Sequence, residues 1–323
     1  MKTVGIVGGS GYTGGELIRL ILNHPKLDIK FIYSTQFYGN NICKIHKDLL
    51  GVTNLKFTNK VKKNIDILLL CAGHGNSLNF LKKNKFLNKT KIIDLSNDFR
   101  IKKNNEFDNY KFIYGLPELN REKIKEAKAV ANPGCFATAI QLSLIPLAKQ
   151  NLINKSVHVN ATTGSTGAGM KNTNTTHFSW RNNNISWYKA FSHQHLSEIS
   201  QTLEELNQKS KVIFIPQRGD FTRGVFSTAY TEFTGDIKKA KNLFKEYYKD
   251  HPFTEISDEE ISLKSVINTN KCHIHLYKHE NILLITCVLD NLTKGASGQA
   301  LQNLNLMMNW NENLGLELKA SVY

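Results

Sequence analysis

The chain has 323 residues, 41% of them hydrophobic and 21% charged, and 42 Lys and Arg against 27 Asp and Glu give a formal net charge of +15. That length suffices for two domains with sizeable cores, whereas no apolar run reaches the roughly 20 residues of a membrane span and the first residues read as a core strand with no signal peptide. Five cysteines at irregular spacing point to reduced thiols in the cytoplasm, and the positive charge, scattered and interleaved with asparagine as from Asn59 to Asn64, reads as a solvated surface with weak attraction for anionic ligands, not as a nucleic-acid stripe.

In chain order, Lys2 to Val7 forms a short buried strand that runs into Gly8-Gly9-Ser10-Gly11-Tyr12-Thr13-Gly14 and then into a helix. Gly9, Gly11 and Gly14 have the G-x-G-x-x-G spacing in the strand, turn and helix context that a dinucleotide site requires. Glycines let the backbone approach a pyrophosphate, and the helix N-terminus offers N–H donors to the anion. We therefore assign residues 8–14 to cofactor binding. A second strand, Ile29 to Tyr33, ends in Ser34-Thr35-Gln36 where an acidic residue would hold the ribose 2′-hydroxyl of NAD. Those neutral donors can face a 2′-phosphate without repulsion and favour NADP(H).

Two further buried strands, 66–72 and 91–96, complete a βαβ alternation, so the N-terminal half is expected to be an α/β, Rossmann-type, doubly wound parallel sheet. Gly73-His74-Gly75 and Ser96-Asn97-Asp98 leave the carboxyl ends of these strands, where open sheets bind ligands. His74 reads there either as a cleft residue or as a polar loop residue.

Ala131-Asn132-Pro133-Gly134-Cys135 then places one thiol at the start of an apolar helix, Phe136 to Ala148. First-turn amides and the helix dipole stabilise a thiolate and can bring a cysteine pKa from about 8.5 toward 7, so the position suits a nucleophile. It equally suits a small core residue.

Beyond Gly134 the pattern changes to alternating strands, 156–160, 225–233, 272–277 and 281–289, which suit an α+β domain whose mixed or antiparallel sheet has one covered face. Thr163 to Gly169 is a glycine-rich loop whose amides, at Ser165 and Gly167 among others, could receive an oxyanion or phosphate. His193 and His195 open a helix ending near Leu206, and a proton-transfer role beside Cys135 fits them better than metal ligation, so no metal is expected. Arg218, with Arg223 nearby, could hold a carboxylate or phosphate through its guanidinium fork. His273 and His275 read as structural.

Taken together, Gly8 to Leu17, Ile93 to Arg100, Tyr114 to Leu119, Asn132 to Cys135, Gly167 to Gly169, His193 to Ile199 and Lys294 to Ala300 closely resemble the N-acetyl-gamma-glutamyl-phosphate reductase family. The resemblance spans nearly the whole chain. It implies a semialdehyde-dehydrogenase-like fold: a Rossmann domain over 1–134 completed by a C-terminal helix within about 295–323, and a catalytic and oligomerisation domain over 135–294. It implies that Cys135 is the nucleophile forming a thioester, that His195 or His193 is the acid/base, and that Gly298 belongs to the cofactor site. Arg100, Asn132, Ser165, Gly167, Arg181 and Arg218 are the substrate-binding candidates. The implied reaction is NADPH-dependent reduction of an acyl phosphate in arginine biosynthesis, by a homodimer or homotetramer with neither nucleic acid nor membrane as partner.

The chain departs from the resemblance at two places. Most family members carry an arginine near Thr35 or Gln36 that is absent here. The loop Phe178 to Tyr188, rich in aromatics and asparagine, could read the N-acyl group, with Arg181 pairing the carboxylate of a succinyl in place of an acetyl. The rival readings are an aspartate-semialdehyde dehydrogenase, a carrier-linked aminoadipyl-phosphate reductase, and a non-enzymatic nucleotide-sensing or nucleic-acid-binding protein.

Overall fold

The structure is a computed structural model that describes residues 1–322. Two compact units divide the chain, one of Met1–Pro133 with Ala296–Glu317 and the other of Gly134–Gly295 with 318–322. The resemblance implies that a C-terminal helix within about 295–323 joins the first unit; the chain does so over Ala296–Glu317, whereas the last described residues lie with the second, where Ser321 N–H donates to Ile267 O at 3.1 Å. Nothing in 318–322 carries a periodicity that could have placed it.

In the first unit, β1 (Lys2–Val7), β2 (Leu27–Tyr33), β3 (Phe57–Thr58), β4 (Ile67–Leu70), β5 (Lys91–Asp94), β6 (Glu106–Phe107), β7 (Tyr110–Tyr114) and β8 (Ala129–Ala131) form one sheet in the order β3-β2-β1-β4-β5-β8-β7-β6. Every pairing is parallel except the edge hairpin β6–β7. Its central strands are apolar on both faces, as in Ile67 to Leu70, every residue of which is buried. That is the pattern of a parallel sheet covered on both sides. The helices of this unit are α1 (Tyr12–Leu22), α2 (Asn76–Lys83) and α3 (Pro117–Glu126). A returning helix, Gly298–Met307, packs on α1 and α3. The doubly wound sheet expected from the alternation is therefore present, with β3, β6, β7 and β8 as strands that the sequence pattern does not reveal.

The second unit opens with α4 (Cys135–Lys149), in which Phe136 to Ala148 are all buried. A helix apolar all round belongs in a core. Pro146 sits inside it and cannot donate to the Leu142 carbonyl four residues back; Tyr248 Oη donates to that oxygen instead, at 2.6 Å. Next come β9 (Val157–Thr163), α5 (Phe178–Arg181), β10 (Ser186–Trp187), α6 (His195–Glu205), β11 (Val212–Arg218), β12 (Val225–Glu232), α7 (Ile237–Tyr248), β13 (Thr254–Ser257), β14 (Cys272–His279) and β15 (Ile282–Leu289). The sheet order is β10-β11-β9-β12-β15-β14-β13, mixed in direction. Strand β9 alternates buried and half-buried residues along its whole length, and α4 and α7 pack on the sheet, so one face is covered, as the alternation requires.

Candidate active site

In the first unit the glycine-rich turn between β1 and α1 is shaped by backbone packing. Gly8 has φ +81°, and a Cβ there would lie 2.5 Å from Cys71 O. A Cβ on Gly9 would lie 2.2 Å from Ile32 Cγ2, and one on Gly14 2.5 Å from Gly8 O. Gly11 differs. Its nearest neighbour to a built Cβ is Gly8 O at 3.6 Å, so the protein does not fill the space above it and a pyrophosphate can approach. The hydrogen bond from Gly15 N to Gly11 O, 2.8 Å long, is the first of α-type in α1, which leaves the amides of Tyr12, Thr13 and Gly14 facing forward. His46 props the turn from below by donating through Nε2 to Gly9 O at 2.8 Å.

Beside this turn lies a cavity of about 460 Å³ lined by Val7, Gly8 and Ser10, by Tyr33 to Gln36, and by one side of α2. Ser34, Thr35 and Gln36 thus stand where the sequence places the adenosine ribose. Ser10 Oγ and Ser34 Oγ are 3.5 Å apart. Gly298 is buried at the start of the returning helix, and the neighbouring Ser297 Oγ donates to Thr13 O at 2.9 Å. His74 does not line the cavity; its Nδ1 accepts from Asn97 N–H at 3.1 Å.

In the second unit Cys135 is the first residue of α4, half-buried, with extended Gly134 as N-cap. Two glycines hold it closely. A Cβ on Gly295 would fall 2.7 Å from Cys135 Cβ, and a Cβ on Gly134 would fall 2.2 Å from His195 Nε2. His195 is the first residue of α6, and Glu198, one turn on, presents Oε1 4.0 Å from His195 Nε2 while its Oε2 accepts from Gly134 N–H at 3.0 Å. One buried carboxylate therefore addresses both the imidazole and the residue before the thiol.

His193 lies before the helix. Its Nδ1 accepts from His195 N–H at 3.2 Å, which leaves Nε2 to carry the proton of the neutral ring. Phe136, Tyr188, His195 and Phe214 surround it edge-on at ring separations of 4.5–5.7 Å. Tyr188 completes this wall, with the Arg218 guanidinium 4.4 Å from its ring centroid. Burial pushes its phenol up to about 12, against the opposing pull of Arg218 and with a further upward push from Cys135.

The other substrate candidates are built differently from their sequence reading. Arg181 is 7% exposed and bonds Asn184 O, Arg218 O, Thr175 O and Ser186 Oγ through its two Nη atoms. It organises the 175–186 loop and, with loop and strand oxygens on both Nη atoms, does not present a fork to a succinyl carboxylate as its sequence position suggests. Arg100 is likewise 5% exposed, donating from Nε to Asn132 O at 2.8 Å and from Nη2 to Leu95 O at 2.9 Å. Asn132 bonds Ala296 O and accepts from Asn303 Nδ2, each at 3.0 Å. Both are joints of the chain leading to Cys135, not groups turned toward a ligand.

The amides of Ser165 and Gly167 are also occupied. Ser165 N–H donates to Phe221 O at 2.8 Å and Gly167 N–H to Gly164 O at 3.1 Å, so this loop is no anion cradle. Arg223 pairs with the buried Asp290 at 2.9 Å, and Asp290 also accepts from the backbone of Asn268, Leu292 and Thr293. Of the arginines singled out, Arg218 alone adjoins the ring wall beside Cys135.

Comparison with known proteins agrees with this division. Residues 3–127 match the model of the semialdehyde dehydrogenase NAD binding domain and residues 135–291 that of the semialdehyde dehydrogenase dimerisation domain. An N-acetyl-gamma-glutamyl-phosphate reductase of Christiangramia forsetii is 55% identical over all of both chains. The protein of the same name from Flavobacterium johnsoniae is 53% identical, with 99% of each chain covered. The chain belongs to the N-acetyl-gamma-glutamyl-phosphate reductase family. As a member it is an NAD(P)-dependent oxidoreductase. A solved aspartate semialdehyde dehydrogenase II from Vibrio cholerae is similar in fold, with a TM-score of 0.71, 16% identity, and 96% of this chain and 98% of that one covered.

The structure also gives roles to Glu198, Tyr188, His46 and Gly134, to which the sequence assigns none. Glu198 carries a usable signal, since a carboxylate three residues after His195 must share its helix face. Tyr188 stands in an aromatic loop with no periodicity. His46 is 37 residues from the carbonyl it supports, so no local pattern could have identified it.

Proposed function

We propose that the protein reduces N-acetyl-gamma-glutamyl phosphate to N-acetylglutamate 5-semialdehyde and phosphate with NADPH, in the cytoplasm, as a homo-oligomer assembled through its second unit. The observation that carries this reading is Cys135 at the first position of a buried helix under His195, in a chain 55% identical over its full length to a reductase of that name. The dimerisation-domain match over 135–291 supports the assembly. The five thiols, none in a disulfide, support a reducing compartment.

The residues of the second unit suggest the following roles. His195 takes the Cys135 proton, and the thiolate attacks the acyl carbon. The bond to the phosphate oxygen breaks, and phosphate leaves carrying the proton His195 received. A thioester on Cys135 remains. Reduced nicotinamide, when bound, supplies the hydride for its reduction. The thiohemiacetal oxyanion then reforms its carbonyl, the C–S bond breaks to release the aldehyde, and a solvent proton passing through His195 restores the thiol. Glu198 holds the imidazole in place, and Tyr188 stays a neutral donor at every physiological pH, given a pKa of about 12. Arg218 is the candidate for the anionic end of the substrate.

The acetyl assignment gains support from Arg181, because the guanidinium that could have distinguished succinyl is bound to loop carbonyls. The test runs the reaction backward, with semialdehyde, phosphate and NADP or NAD, and follows NADPH absorbance. N-acetylglutamate semialdehyde with NADP should give the highest kcat/KM. Higher turnover of N-succinylglutamate semialdehyde or aspartate semialdehyde would overturn the substrate assignment.

A further inference from the structure

We infer that Lys83 receives the ribose 2′-phosphate of the cofactor and thereby makes this pocket select NADP over NAD. The inference rests on the reading of the first unit as an NADPH site and names the group that would enforce it. The cavity beside the glycine-rich turn is bounded on one side by Ser34, Thr35 and Gln36 and on the other by Asn76, Asn79, Phe80 and Lys83 of α2. Those four positions, at i, i+3, i+4 and i+7, make one continuous helix face. Tyr33 and Phe80 meet edge to face at 5.3 Å and give the same cavity an aromatic wall, suited to an adenine ring.

The charge inventory of the lining decides between the two dinucleotides. It contains no Asp or Glu. NAD recognition relies on a carboxylate that accepts from the 2′-hydroxyl, and that carboxylate would repel a 2′-phosphate. Lys83 is the sole cation of the lining, to which the neighbouring Lys82 and Lys85 do not belong. Among the described residues Lys83 has no ion pair and no side-chain hydrogen bond, whereas Lys2 is paired with Asp66 at 3.2 Å. An anion arriving in the pocket therefore displaces no existing partner of this ammonium.

The helix that carries Lys83 is anchored at its start. Asp98 accepts from the Gly75 and Leu78 amides at 2.6 and 3.0 Å and holds the first turn of α2 in place. Asn76 and Asn79 each donate one amide hydrogen back to the preceding turn, at Ala72 O and Gly75 O. Lysine acts on phosphate as a flexible point charge, so the neutral donors at 34–36 can set the geometry while Lys83 supplies the charge.

Equilibrium binding of NADPH, NADH and 2′-AMP to the full-length protein and to Lys83→Gln, Lys83→Glu and Lys83→Arg tests this. The wild-type protein should bind NADPH more tightly than NADH. Lys83→Gln should lose roughly tenfold in affinity for NADPH and 2′-AMP with NADH unchanged, as expected for one partly screened charge contact. Lys83→Glu should lose more, and Lys83→Arg should retain most of the preference. If Lys83→Gln keeps the full preference for NADPH, Lys83 is not the determinant although NADP remains the cofactor. If the wild-type protein binds NADH as tightly as NADPH, the cofactor reading itself fails and this inference falls with it.

Discussion

Gly134 and His195 occupy one another's space: a single Cβ on residue 134 would stand 2.2 Å from the imidazole Nε2. The glycine before the thiol is extended at φ −74°, ψ 150°, a conformation open to any residue, so its requirement is steric and not conformational. Gly134→Ala should therefore push His195 off the end of α4 without changing the chain path. The expected result is a fall in kcat of about 10²-fold or more, the scale of lost acid/base help, with NADPH affinity unchanged. Retention of near-normal kcat by Gly134→Ala would show that the imidazole does not need this place.

His195 and His193 should separate clearly in the same assay. His195 touches Gly134 and lies 4.0 Å from Glu198, whereas His193 has its Nδ1 occupied by the His195 amide and its ring among Phe136, Tyr188 and Phe214. His195→Asn is expected to lower kcat by about 10²–10⁴-fold and to remove one ionisation from the pH profile. His193→Asn should act mainly on stability, by opening the aromatic cluster. Glu198→Gln should lower kcat with little change in KM. The reverse ranking of the two histidines would exchange their assignments.

Much of this was legible in the sequence for physical reasons that can be stated. The β1-turn-α1 unit declares itself because strand, glycine spacing and helix are contiguous. Cys135 does so because Pro133 and Gly134 mark the start of an apolar run. The second sheet follows from alternation, visible in β9 and β12. What sequence could not supply was the partner of each polar group. Arg181, Arg100 and Asn132 look like ligand-binding residues by type, yet each is committed to carbonyls or amides brought from 3 to 171 positions away. The Ser165 amide is taken by Phe221 O, brought in by tertiary packing, and the Gly167 amide by Gly164 O in a local turn that the glycine spacing does not reveal.

Arg181 provides the sharpest test of that lesson. Its guanidinium joins Thr175 O, Asn184 O and Arg218 O, so Arg181→Ala removes three charge-assisted bonds to part-buried carbonyls and should destabilise the fold by on the order of 2–3 kcal/mol. Activity toward acetyl and succinyl substrates should fall together. Thermal denaturation with parallel kcat/KM measurements would check it, and a selective loss with succinyl substrate alone would restore the carboxylate-binding role.

The last expectation concerns acid. Burial lowers the pKa of His46 below its ordinary 6.5, with Arg19 adding to the effect and the Gly9 hydrogen bond, Asp48 and Glu16 opposing it; burial likewise lowers His24 and His273. Because the folded pKa lies below the unfolded one, the unfolded chain binds more protons between the two values. Stability from these groups is therefore complete above about pH 6.5, declines as pH falls below it, and levels off beneath the folded pKa values. His46 adds a local consequence, since its Nε2 donates to Gly9 O at 2.8 Å and a second ring proton would have to be accommodated beneath the glycine-rich turn. Thermal denaturation from pH 8 to 5 should show the decline. His46→Gln, able to keep a donor toward Gly9, should make it shallower with cofactor affinity largely retained, while His46→Ala should weaken cofactor binding at neutral pH. An unchanged pH slope in His46→Gln would assign the acid sensitivity to His24, His273 or other groups.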